Sequence, residues 1–173
     1  MVTCECPREG CAPPTPVAAT SGGGMALDCD MGASGIQETC SYTLGDTFSM
    51  QIHITGAPPG GFTAFLVMII PDLLPSIVFD YLPTEDLANE MLWPECVPAR
   101  SYHSPPSPLA LFFWCRSPFY PDENETFVGP VLQFEFKCQQ EGTTRVPLDG
   151  GFVAAPLMHG FDSSLAGAAV TCT

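Results

Sequence analysis

The chain is 173 residues long, 46% hydrophobic and only 14% charged, which excludes a disordered chain and suits a single domain with a core of its own. Nineteen acidic residues against five basic ones leave a net charge of −14. Such a chain repels phosphate backbones and has no basic stripe, so no nucleic-acid binding is expected, and anionic membranes are disfavoured too.

Nineteen prolines and sixteen glycines interrupt the windows a long helix would need, and predict many short strands joined by turns. The nine cysteines imply an oxidising compartment. Zinc spacing is absent, because Cys4 and Cys6 stand too close, Cys6 and Cys11 too far apart, and the other six have no C-x2-C pair. Disulfides are the expectation. An odd count leaves at least one thiol free or bonded to another chain. Met1 runs directly into Cys4 and Pro7 rather than a basic and then apolar stretch, so the sequence reads as the processed or excised form of something secreted. Its longest apolar run, Phe65 to Ile70, is far short of the roughly 20 residues that span a bilayer.

Residues 1–24 read as an N-terminal arm or linker, and residues 25–173 as one domain. Pro13, Pro14 and Pro16 favour extended polyproline geometry, and Gly22 to Gly24 form a flexible joint. The segment is either a linker left from a longer protein or an arm that reaches a neighbouring copy, with Cys4, Cys6 and Cys11 able to lock it there. Met25 to Cys29 is a short strand. The turn-rich loop that follows ends at Cys40, and a Cys29–Cys40 bond would close it. Asp28, Asp30 and Glu38 lack the regular spacing of a calcium loop, so they are expected to be solvated carboxylates.

Thr47 to Thr55, TFSMQIHIT, organises the domain. Phe48, Met50, Ile52 and Ile54 alternate with polar residues at the period of two that a half-buried strand requires. Pro58, Pro59, Gly60 and Gly61 stop it, and the apolar run Phe62 to Ile70 reads as its antiparallel neighbour. Ser76 to Leu82 can form a further strand. Thr84 to Leu92 has helical manners over two turns, with Thr84 as N-cap, and Trp93-Pro94 ends it.

Cys96 and Cys115 enclose a proline-rich loop and the strand Leu109 to Cys115, which is apolar on both faces. Burial between layers accounts for that better than cover by another chain. Asn124-Glu125-Thr126 is a glycosylation sequon. Gly129 to Cys138 alternates cleanly, with Leu132, Phe134 and Phe136 inward. A glycine-rich tail follows, and Ala168 to Cys172 closes the chain as a strand, with Cys138 and Cys172 placed to staple it to its neighbour.

No reaction chemistry is written here. His53, His103 and His159 are isolated surface histidines, and no nucleophile elbow, zincin, P-loop or dinucleotide motif occurs. The chain is expected to be no enzyme and to need no metal or cofactor. Trp93, Tyr102, Trp114, Phe119 and Tyr120 cluster in the middle third. They allow a glycan platform, although a minor core under long loops accounts for them better.

From Met25 onward, about six sevenths of the chain, the sequence resembles secreted bacterial modules related to cohesins and carbohydrate-binding β-sandwich modules. The likeness is carried by MALDCD (Met25–Asp30), GIQETCSY (Gly35–Tyr42), the strand ending in APPGGF (Ala57–Phe62), MLWPEC (Met91–Cys96) with PAR (Pro98–Arg100), GPVLQFEFKC (Gly129–Cys138) and AAVTC (Ala168–Cys172). The expected fold is an all-β antiparallel sandwich, jelly-roll or immunoglobulin-like, of about eight or nine strands stapled by three disulfides. Such sandwiches serve as adhesion, scaffolding, sugar-binding and filament units. The leading expectation is an extracellular or cell-surface structural subunit that self-associates through its N-terminal arm, as a homo-oligomer or filament. The alternative is a carbohydrate- or protein-binding module of a larger secreted protein.

Overall fold

A computed structural model of the chain describes residues 23–69, 79–82, 92–93, 96–103, 111–117, 124–154, 159–162 and 164–173. These residues form a β-sandwich of thirteen strand segments: β1 (Gly24–Asp28), β2 (Thr39–Tyr42), β3 (Thr47–Gly56), β4 (Ala64–Ile69), β5 (Phe79–Leu82), β6 (Val97–His103), β7 (Leu111–Arg116), β8 (Gly129–Cys138), β9 (Gly142–Val146), β10 (Leu148–Ala154), β11 (His159–Asp162), β12 (Ser164–Ala166) and β13 (Ala168–Cys172). One sheet has the order β12-β1-β3-β8-β5, the facing one β11-β10-β4-β7-β6, and a three-stranded sheet β2-β13-β9 extends the sandwich. The proposed helix at 84–92 lies outside the described residues up to its last position, and of the expected strand at 76–82 the described part is β5.

The segment count exceeds eight or nine because long strands switch sheets at single residues, Pro147 and Gly167. Pro147 lacks an N–H and separates β9 from β10. Gly167 separates β12 from β13, and a Cβ there would stand 2.4 Å from the carbonyl oxygen of Val146. Residues 164–172 thereby run beside β1 and then beside β2, and both of these pairings are parallel, the departure from an antiparallel sandwich. The ladders through β3, β4, β7, β8 and β10 are antiparallel.

β3 and β4 are not neighbours, contrary to the hairpin expectation. β3 pairs with β1 and β8, whereas β4 pairs with β10 and β7 in the opposite sheet. Residues 57–63 make a crossing, pinned by backbone bonds from Phe62 to Glu125 and from Thr63 to Val153. The alternation of β3 sends Phe48, Met50, Ile52 and Ile54 into the core, where β4 contributes Phe65, Val67 and Ile69 from the other side. Phe113 of β7 meets Phe134 of β8 across the sandwich, ring centroids 4.4 Å apart.

Three cysteine pairs stand at bonding distance, Cys29–Cys40, Cys96–Cys115 and Cys138–Cys172, with Cα separations of 5.9, 5.5 and 5.8 Å. The last does not staple neighbouring strands, because β13 lies between β2 and β9 while β8 belongs to a different sheet. It ties two sheets together. Cys4, Cys6 and Cys11 lie outside the described residues. Gly23 and Gly24, read above as part of a flexible joint, are packed into the body. Gly24 is the first residue of β1, and Gly23 has a φ of +87° with the Gly56 carbonyl oxygen 2.7 Å from where a Cβ would be.

Candidate functional face

The sheet β11-β10-β4-β7-β6 buries one face and leaves the other without cover from the described residues. On β4 the buried Phe65, Val67 and Ile69 alternate with Leu66 and Met68, and on β7 the buried Phe113 and Cys115 flank Trp114. Leu66 and Trp114 are cross-strand partners, and each is 43% exposed. The register extends this pair into rows. Gly151, Leu66, Trp114 and Arg100 follow one another across β10, β4, β7 and β6, and Asp149, Met68, Phe112 and Tyr102 form the next row. Gly151 brings no side chain to the flank of Leu66, so the leucine stays open on that side. Two large apolar side chains standing together on a sheet face are unlike the scattered exposed hydrophobes of an ordinary surface.

The structure separates the predicted aromatic cluster. Trp93 is 2% exposed and packs against Phe127, Phe62 and Phe65, so it belongs to the core and not to a ligand platform. Trp114 is on the open face, Tyr102 is in register two residues along it, and Phe119 and Tyr120 lie outside the described residues. At the end of the apolar strand that closes at Cys115, Phe113 and Cys115 are buried and Trp114 between them is exposed. Strand parity carried a signal for this: a bridged Cys115 must point inward, which turns Trp114 outward. Leu66 went unrecognised because all of β4 is apolar and shows no inside and outside.

The remaining candidates have structural roles. Asp28 is 5% exposed, not solvated, and its Oδ1 accepts hydrogen bonds from the backbone N–H groups of Asp30 and Gln37, fixing the loop that the Cys29–Cys40 bond closes. Tyr42 donates its hydroxyl to the Cys29 carbonyl at the same loop. His53 is not isolated. Its Nε2 lies 3.1 Å from Gln51 Oε1 and 3.8 Å from Asp28 Oδ2, while Gln51 Nε2 donates to Gln133 Oε1. Burial lowers the His53 pKa, and the Asp28 carboxylate partly opposes that. The side chains of His103 and His159 are outside the described set. Among the described residues no three His, Cys, Asp or Glu side chains converge as a metal site would require. A shallow cleft of about 640 Å³ between Glu38 and Arg145, floored by Gly167 and Ala168, has no buried polar side chain in its lining.

No family model and no curated protein matches the sequence. Solved structures do resemble the fold. The sixth cohesin of scaffoldin B from Acetivibrio cellulolyticus, solved in complex with a Cel5 dockerin, is 11% identical with a TM-score of 0.59, the match covering 88% of this chain and 100% of that one. The seventh ScaB type I cohesin of Pseudobacteroides cellulosolvens is 9% identical at a TM-score of 0.58, over 87% and 92% of the two chains. A non-cellulosomal cohesin from the archaeon Archaeoglobus fulgidus is 5% identical at 0.57, over 87% and 91%. The fold is thus a cohesin-like β-sandwich.

Proposed function

We propose that this chain is a non-catalytic, extracellular protein-binding module of a larger protein, and that it docks a partner protein on the outer face of the sheet containing β4 and β7. The observation that carries this is the exposed cross-strand pair Leu66 and Trp114, a compact apolar centre of the kind that anchors protein interfaces. Partnership with another protein is supported by the similar cohesin solved with its dockerin. The extracellular setting is supported by three cysteine pairs at bonding distance. No helix among the described residues is long and apolar enough to cross a membrane.

The test is a binding panel of dockerin modules and plant and microbial polysaccharides, run with the wild type and with Leu66→Thr and Trp114→Thr. Binding of a protein module that either substitution weakens supports the proposal. Binding of polysaccharide alone overturns it in favour of a carbohydrate-binding module, with Trp114 as the stacking surface.

Self-association through residues 1–24, into a homo-oligomer or filament, is the second reading. One observation favours it: the three bonded pairs use six cysteines and leave Cys4, Cys6 and Cys11, an odd number, in the arm. Covalent ladders on a non-reducing gel, lost on deletion of residues 1–22, would support it; a single monomer band would overturn the covalent form.

A further inference from the structure

The sequon is the one motif that protein docking does not absorb, and its local geometry is specific. Asn124, Thr126 and Val128 are exposed and alternate with the half-buried Glu125 and Phe127, so the segment is extended and presents one face to solvent. The inward residues fix it. Glu125 exchanges both backbone hydrogen bonds with Phe62, at 2.6 and 2.9 Å, and its carboxylate accepts from Ser117 Oγ at 3.4 Å. Phe127 stacks on Trp93, ring centroids 5.5 Å apart. Gly61 lies close behind the acceptor: a Cβ there would fall 3.0 Å from Asn124 Cβ and 2.5 Å from the Glu125 carbonyl oxygen. The backbone is held from behind, while Asn124 and Thr126 are exposed on the other side.

We propose that Asn124 is an asparagine-linked glycosylation site and that its glycan lies along the Thr126–Val128 face. The donor is a lipid-diphosphate-linked oligosaccharide carried to the chain by a transferase of the secretory route. The Asn124 amide nitrogen forms a bond to the anomeric carbon, the bond from that carbon to the phosphate oxygen breaks, the lipid diphosphate leaves, and the amide nitrogen gives up one proton. No oxidant or reductant is needed. The Thr126 hydroxyl, two residues on and on the same side, is the group by which a sequon is recognised. The glycan covers Val128, at 56% the most exposed of the large hydrophobic side chains described. The acceptor segment bridges to Phe62, in the crossing that precedes β4. This inference stands or falls independently of the proposed function.

The test is intact-mass and peptide mass spectrometry of the chain secreted from a eukaryotic host that glycosylates asparagine, before and after peptide-N-glycosidase. The expected result is a glycan that the enzyme removes with conversion of Asn124 to aspartate, retained in Thr126→Ser and lost in Asn124→Gln and Thr126→Val. A secreted, folded wild type with the mass of the bare polypeptide overturns the proposal, as does a glycan carried by any other residue. Wild type and Thr126→Ser decide the matter even where the other variants fail to be secreted.

Discussion

Leu66 on β4 and Trp114 on β7 face each other directly across the ladder on the open side of a sheet, while their chain neighbours Phe65, Val67, Phe113 and Cys115 are sealed in the core. Burying this pair against a partner would remove apolar surface from water without disturbing the interior. Threonine at either position keeps strand propensity, so unfolding stability should change by no more than about 0.5 kcal/mol. Chemical denaturation of Leu66→Thr and Trp114→Thr checks this, and a large loss at either would mean that the pair is part of the core.

The two tryptophans should separate cleanly by spectroscopy. Trp93→Ala removes a buried ring that packs against three phenylalanines and should cost about 3–5 kcal/mol. With Trp93→Phe the remaining emission should be red-shifted and readily quenched by acrylamide, and with Trp114→Phe it should be blue-shifted and protected.

Gly150 has a φ of +146°, and a Cβ there would stand 2.1 Å from the carbonyl oxygen of Leu66. Gly150→Ala must therefore part β10 from β4, and should cost more than about 1 kcal/mol. Because the clash falls on the Leu66 backbone, this substitution should also weaken partner binding, unlike a core substitution of equal cost made elsewhere.

The disulfides should rank by the chain they close. Their sequence separations are 11 for Cys29–Cys40 and 34 for Cys138–Cys172. Restriction of the unfolded chain gives about 3 and about 4 kcal/mol respectively. Paired Cys→Ser variants, compared by denaturant midpoint, should keep that order.

His53 should make stability depend on pH. Burial holds its pKa below the ordinary 6.5 in the folded chain, with Asp28 pulling the other way. The unfolded chain then binds the proton more readily, so stability is full above 6.5, declines as the pH falls below it, and levels off once the folded histidine is protonated. His53→Gln should flatten this part of the profile, and the difference between variant and wild type, measured on both sides of 6.5, separates it from the carboxylates that both share.

The sandwich class, β3 and β8 were legible because TFSMQIHIT and the LQFEFK stretch of β8 alternate strictly, and a period of two has one structural meaning when one face is buried. Their partners were not legible. Proline and glycine after β3 mark a turn equally well whether the chain returns in the same sheet or crosses to the other, and only the bonds of Phe62 and Thr63 decide it. β10 was hidden because Gly150 and Gly151 weaken any strand signal, whereas here Gly150 is required by the close approach of β4. The candidate face was half legible: the sequence marked the region of Trp114 as too apolar, but five aromatics crowded into one third of the chain do not reveal that Trp93 turns in and Trp114 turns out.

The most direct test of docking at Leu66 and Trp114 is titration calorimetry of a dockerin module selected in the panel against the wild type and the Leu66→Thr, Trp114→Thr double variant, at matched thermal stability. Loss of two central anchors should lower the affinity by about a hundredfold or more. Equal affinities for the two proteins would contradict a docking site on this face.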